Sequence, residues 1–204
     1  MSDLDKLISC FETFPGVGAR QAKRFAFHVL TMQESDSADL AKLIADIKGT
    51  VVECSSCHRF FATSYNEKMC SICLSSTRNH NRLLVVERDS DIQAIERAGV
   101  YDGLYFVLGG TVPLLNSKEN VRLRGSALKA TVVTRLPEGL TEIILAFSVN
   151  PDGENTARFV ESILNELLKE TKAKISHLGR GLSTGSELEY ADSETIKYAF
   201  TNRT

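Results

Sequence analysis

The chain has 204 residues, of which 43% are hydrophobic and 25% charged, and its formal net charge is -2. That length and apolar content suffice to bury a core in more than one compact unit. The near-neutral balance excludes a global basic field as the means of holding nucleic acid, so such contacts have to come from local patches. No apolar run approaches the ~20 residues that span a bilayer, and the N-terminus lacks the basic-then-apolar layout of a signal peptide. The expectation is a cytoplasmic protein whose thiols stay reduced.

Leu4 to Phe11 and Ala19 to Leu30 carry apolar residues at helical spacing, with Phe14-Pro15-Gly16-Val17-Gly18 between them. Cys10, beside Leu7, Ile8 and Phe11, is expected to be a small buried apolar residue without chemistry. Gly16 and Gly18 permit a tight turn with exposed N–H groups, which together with the start of the second helix make a phosphate seat. Arg20, Lys23 and Arg24 fall on the first turns of that helix, and no acidic residue lies between Thr13 and Gln33. Phe25, Val29 and Leu30 are expected to pack inward. The pattern is that of a helix-hairpin-helix, which grips the DNA backbone without reading bases; an ordinary αα-hairpin with a glycine turn would share it. A linking helix is expected over roughly Ser37 to Ile47.

Cys54, Cys57, Cys70 and Cys73 form two Cys-x-x-Cys pairs separated by twelve residues. Each pair aims two thiolates at one ion, and a hairpin between them brings the pairs together into a closed, structural four-cysteine zinc site that has no free position for activating water. Two disulfides or four unrelated core cysteines are the alternatives. His28, His58, His80 and His177 read as structural or surface residues, although His58, next to Cys57, is placed to donate to a thiolate.

Beyond the cysteines the pattern changes. Arg82 to Val86 reads as a buried strand, Asp91 to Ala98 as a helix closed by Gly99, and Leu104 to Leu108 as a second strand ended by Gly109-Gly110. Lys118, Arg122, Arg124, Lys129 and Arg135, opposed only by Glu119, make a second basic stretch that is either a solvated face or a DNA contact. Ile143 to Phe147 is a third strand. It is followed by an amphipathic helix with Ala157, Val160, Ile163, Leu164, Leu167 and Leu168 on one side, and by a fourth strand over Lys174 to Leu178. Strands alternating with helices imply a mostly parallel sheet covered on both faces, with function at the carboxyl ends of the strands. Glu87, Asp152 and Glu154 occupy that edge. Asn150 or Asp152 can cap the helix, with Pro151 in its first turn; the acidic pair either complements the helix dipole or, with Glu87, forms a magnesium site. The chain has no Gly-x-x-x-x-Gly-Lys-Ser/Thr loop, so any ATP would belong to a partner.

The order of parts resembles the RecR family of bacterial recombination mediators over nearly the whole chain. The resemblance is carried by Phe14-Pro15-Gly16-Val17-Gly18 with Ala26-Phe27-His28, the cysteine quartet, Val85-Val86-Glu87, and Tyr105-Phe106-Val107-Leu108-Gly109-Gly110. Arg180-Gly181-Leu182-Ser183-Thr184-Gly185, running to Leu188-Glu189-Tyr190-Ala191-Asp192, completes it. It implies a multidomain α/β chain: a helix-hairpin-helix domain over 1–52, a zinc finger over 53–79, a Toprim domain over 80–175 and a C-terminal segment over 176–204. In that segment Gly181 and Gly185 would serve tight backbone, and Leu188, Tyr190 and Ala191 would be buried, completing the core and helping subunit contacts.

Toprim domains that cut or join nucleic acid use a glutamate after the first strand and an Asp-x-Asp pair after a later one, because converging carboxylates hold magnesium against the phosphate. With Asp152-Gly153-Glu154 aligned to the segment after that pair, the two aspartate positions become Ser148 and Asn150, and the cluster is broken. RecR-like proteins also lack the pair, although this chain departs from their usual wording, with no earlier Asn-Pro and Asp152 in place of Glu. The resemblance therefore implies no catalytic residues and one structural zinc. It implies a non-enzymatic mediator that assembles as dimers or tetramers into a ring-like clamp on single-stranded, double-stranded or gapped DNA without sequence preference. With RecO, and in many bacteria RecF, such proteins load RecA onto gaps coated by single-strand-binding protein. Gly16, Gly18, Arg20, Lys23 and Arg24 would touch phosphates, and Glu87, Asp152 and Glu154 would meet a basic partner such as RecO. The rivals are a metal-dependent Toprim nuclease or topoisomerase-like enzyme built on Glu87, Asp152 and Glu154, and a zinc-bearing adaptor that binds only proteins.

Overall fold

The computed structural model describes residues 1–63, 67–114, 123–179, 182, 188–191 and 193–201, which divide into two units, Met1–Val51 and Val52–Thr204. In the first, helix α1 (Asp3–Glu12) starts at a reciprocal cap: Asp5 N donates to Ser2 Oγ at 3.2 Å and Ser2 N donates to the Asp5 carboxylate at 2.8 Å. Leu4, Leu7, Ile8 and Phe11 form its half-buried stripe. Cys10 is exposed, against expectation, because a residue one before Phe11 points about 100° away from that stripe.

Helix α2 (Ala19–Thr31) packs on α1. Its buried positions are Ala22 and Ala26, four residues apart, with Val29 half-buried beside them. Phe25 and Leu30 are exposed and do not pack inward as expected, since each lies one residue off the Ala22–Ala26–Val29 line. Small residues on that line let the two helices approach closely, and Phe11 meets Phe14 and Phe25 edge-on, both at 5.8 Å between ring centres. Helix α3 (Glu34–Thr50) is longer than the sequence suggests and buries no residue.

From the boundary residue Val51 onward, β1 (Val51–Glu53) and β2 (Phe60–Ala62) make a two-stranded sheet, and the short helix α4 (Ser71–Leu74) follows. The main sheet has four parallel strands, β3 (Asn79–Val86), β4 (Gly103–Val107), β5 (Glu142–Ala146) and β6 (Lys174–His177), in the order β4-β3-β5-β6. Central β3 places Leu84 opposite Tyr105 on one side and Ile144 on the other, and Leu83 to Val86 are all buried, as an apolar, β-branched run in a two-faced sheet should be.

The crossovers are α5 (Asp89–Ala98), α6 (Gly125–Arg135) and α7 (Pro151–Leu168). Gly99 ends α5 in the left-handed region at φ 65°. The sequence pattern does not signal α6: only Gly125, Leu128 and Val132 are buried on it, and its Thr131-Val132-Val133-Thr134 run favours a strand. A Cβ on Gly125 would lie 2.9 Å from the Phe159 ring of α7, so the ring would have to shift to admit one.

After β6 come a 3-10 turn (Leu188–Tyr190) and α8 (Ser193–Thr201). Arg180, Gly181, Gly185, Asp192 and the side chain of Leu188 lie outside the described residues. Tyr190 is 80% exposed, a correction to its expected burial, and Ala191 is half-buried, because one three-residue turn has too little surface to enclose a ring. Among the described residues no helix is long and apolar enough to cross a membrane.

Candidate functional site

The four cysteine sulfurs lie within 4.8 Å of one another, and all four residues are buried. Cys57 Sγ and Cys70 Sγ are 3.7 Å apart, close to the edge of a tetrahedron with ~2.3 Å metal–sulfur bonds and far beyond a bonded sulfur pair at ~2.05 Å. All four thiols are free, so the disulfide alternative falls. Local folding explains the convergence. In the first knuckle Cys54 N donates to Arg59 O at 2.8 Å and His58 N to Cys54 O at 2.9 Å, with His58 itself at φ 61°. In the second, Cys70 sits at the start of α4 and its N–H donates to Cys54 Sγ at 3.3 Å.

Packing thiols this closely sets them against one another. The sulfur–sulfur hydrogen bond drives the Cys57 thiol up and holds the Cys70 thiol down. For Cys73 the hydrogen bond with Cys57 works downward, but Cys70, burial and neighbouring charge prevail and push it up to about 12. A bound cation would relieve that competition by replacing the protons. The four cysteines could therefore hold a metal ion, and they are the one such cluster of three or more Cys, His, Asp or Glu among the described residues.

His58 does not reach a thiolate, contrary to expectation. Its Nδ1 lies 2.6 Å from Glu53 Oε1, and its ring meets Phe106 edge-on at 5.1 Å. Arg124 Nε is 3.2 Å from the same Glu53 oxygen. Partial burial works to raise the Glu53 carboxyl, but hydrogen bonds from His58 and Arg124 outweigh it and hold the group below the usual range. Arg135 Nη2 donates to Ser56 Oγ at 2.9 Å. The second basic stretch is thus not one solvated face: Arg124 and Arg135 are half-buried ties to the cysteine module, Lys129 is exposed, and Lys118, Glu119 and Arg122 lie outside the described residues.

In the first unit the hairpin turns through Gly16 at φ 77°, where added side chains would be strained, and Val17 N donates to Phe14 O at 3.0 Å. Gly18 is the extended residue that opens α2 and offers no side-chain cap, and the first turn has no acidic residue. Its leading N–H groups therefore point out of the helix without a side-chain acceptor of its own. Arg20, Lys23 and Arg24 are all exposed around that turn, with Arg24 donating to Gln21 Oε1 at 3.3 Å.

The three carboxylates of the sheet edge do not converge. Glu87 follows β3 but is only 7% exposed, and its Oε1 accepts from Ser148 N at 2.6 Å, tying the ends of β3 and β5 together. That internal position removes Glu87 from any contact surface. Asn150, rather than Asp152, caps α7 by accepting from Gly153 N at 2.8 Å, with Pro151 in the first turn. Asp152 accepts from Leu114 N at 2.8 Å, while Val112 N donates to Thr156 Oγ1 at 2.8 Å and Asn155 Nδ2 to Val112 O at 3.2 Å. The start of α7 thereby anchors 112–114, which no sequence motif signals. Glu154 lies 3.9 Å from Arg158.

Gly153 is fixed by space: a Cβ would stand 2.0 Å from Ser148 O. Gly153→Ala is expected to destabilise the protein by ~1–3 kcal/mol and to loosen the Ser148 tie. Chemical denaturation checks this; a variant within ~0.5 kcal/mol of the parent would contradict it.

Models of three protein segments match this chain: RecR, helix-hairpin-helix over residues 4–48, a Toprim domain over 81–179, and RecR, C-terminal over 181–204. The chain is 34% identical over 202 residues to Recombination protein RecR of Lactobacillus helveticus (strain DPC 4571), covering 97% of this chain and 94% of that one. The chain belongs to the RecR family. RecR of Streptococcus thermophilus is 35% identical, covering 98% of this chain and 95% of its own, and RecR of Staphylococcus haemolyticus (strain JCSC1435) is 36% identical over 98% and 96%. The RecR match thus takes in both units, with the first helical pair, the cysteine cluster and the parallel sheet in the order expected.

Proposed function

We propose that this RecR-family protein is a non-enzymatic recombination mediator that holds DNA as a ring-like clamp and, with RecO and in many bacteria RecF, promotes RecA loading onto gapped single-stranded DNA. The observation that carries the reading is the first turn of α2, where Gly16 and Gly18 leave backbone N–H groups open and Arg20, Lys23 and Arg24 surround them. Backbone N–H groups and flexible cations bind phosphates of any sequence. A chain of net charge -2 gains little long-range attraction for DNA, so a closed ring supplies the retention that charge does not.

The ring is a homodimer or homotetramer. The exposed apolar residues Leu40, Leu43, Ile44 and Ile47 on α3 support assembly, since contiguous apolar surface of this kind is normally covered. The cysteine quartet holds one structural Zn2+, whose preference for four thiolates in a closed tetrahedron matches the donor set. The division into domains 1–52, 53–79, 80–175 and 176–204 follows from the same reading, as does a cytoplasmic location at the nucleoid. Asp152 and Glu154 are the carboxylates offered to a basic partner such as RecO. Catalysis is disfavoured because Glu87 and Asp152 each already accept a main-chain N–H, and among the described residues no group of three carboxylates is gathered to hold a metal ion.

The test compares retention on closed circular duplex with the same DNA linearised, after a high-salt wash, followed by a denaturing gel. Retention on circles alone, with DNA intact, is expected. Equal loss from both would sink the clamp, and magnesium-dependent cuts would establish the nuclease instead.

A further inference from the structure

Strand β4 stands at an open edge of the main sheet, yet all five of its residues are buried. The other edge behaves differently. Strand β6 is polar and partly exposed, beginning at Lys174, which is the usual way of blunting an edge against unwanted pairing. Gly103-Leu104-Tyr105-Phe106-Val107 has no such device and needs a cover.

The cysteine module and its flanks supply it. Leu108 N donates inward to Val86 O of β3 at 2.9 Å, while its neighbour Val107 donates outward to the carbonyl of Cys57 at 2.8 Å. Val107 O accepts from Arg124, which also holds Glu53 of β1. At the other end of the strand Gly103 O accepts from Arg78 at 3.3 Å, an arginine paired with Glu96. Helix α4, which contains Cys73, packs on β4, and the His58 ring closes over Phe106. Phe60 N of β2 donates to Asp89 at the start of α5 at 2.7 Å. The acceptor for Val107 is thus the main chain of a cysteine whose sulfur belongs to the quartet.

We propose that the cysteine module is the edge cap of the Toprim sheet, and that the bound ion holds the cap closed. The inference rests on the zinc reading above. Loss of the ion frees the knuckle at Cys57, releases the outer N–H of Val107 and opens an apolar strand edge, while the inner strands keep their pairing.

The experiment uses the full-length protein. Its metal content is first measured, and residue-resolved amide hydrogen exchange is then followed before and after EDTA. Val107 is expected to lose protection by ~100-fold or more, and Ile143 and Leu145 of the central β5 by less than ~3-fold. Returning Zn2+ should restore Val107. Three results overturn the proposal: a metal-containing protein that keeps Val107 protected after stripping, simultaneous loss at Val107 and Ile143, which would be global unfolding, or a protein without metal. Only the last also removes the zinc reading.

Discussion

Stripping the metal at neutral pH, or replacing Cys57 with Ala, is expected to lower the thermal midpoint of the protein by roughly 6–12 °C, the shift that ~3 kcal/mol produces in a chain of this size. A four-thiolate zinc site supplies ~10–16 kcal/mol. Because binding of the ion is coupled to folding of the module, most of that is offset by the ordering of the module itself. What reaches the sheet is the docking itself. The Cys57–Val107, Ser56–Arg135 and Glu53–Arg124 contacts contribute about 1 kcal/mol apiece once solvent competition is included. Circular dichroism melts with and without EDTA, then with zinc returned, check the value. A midpoint that moves by less than about a degree would mean that the quartet holds no structural ion.

Arg20→Glu combined with Lys23→Glu is expected to weaken DNA binding ~100-fold at low salt and to reduce the slope of log K against log salt by about 2 for duplex. Each cation that neutralises a phosphate accounts for ~0.9 of that slope. Both side chains are exposed on α2 away from the buried Ala22 and Ala26, so the melting curve should stay unchanged. Fluorescence anisotropy over a salt series on mixed-sequence DNA gives both numbers, and the loss should be the same for unrelated sequences. Unchanged affinity and slope would move the DNA contact elsewhere and favour a protein-only adaptor.

Features written as local spacing are legible in the chain itself. The cysteine quartet is one, because two residues between thiols set the knuckle whatever surrounds it, and the fold brings all four sulfurs together. The buried runs Leu83–Val86 and Leu104–Val107 are others, since a stretch of strand buried on both faces is apolar throughout. Helix α6 is not legible in this way, because its buried stripe is three residues wide and its β-branched run argues for a strand; only packing against α7 decides it. Cys10 and Leu30 mislead by their neighbourhood in the chain, where burial follows angular position on a helix.

Sequence by itself determined the RecR-family order of parts, the four-cysteine cluster and the cationic hairpin, since each depends on residue type and short spacing. Tertiary structure alone decided what the charged residues near the sheet do. Glu87 turned inward to Ser148, Asp152 took the Leu114 N–H, and Arg124 and Arg135 became struts to the cysteine module. A carboxylate or guanidinium carries the same charge in any chain, and whether it meets solvent, a phosphate or a main-chain N–H is set by partners that lie up to 79 residues away.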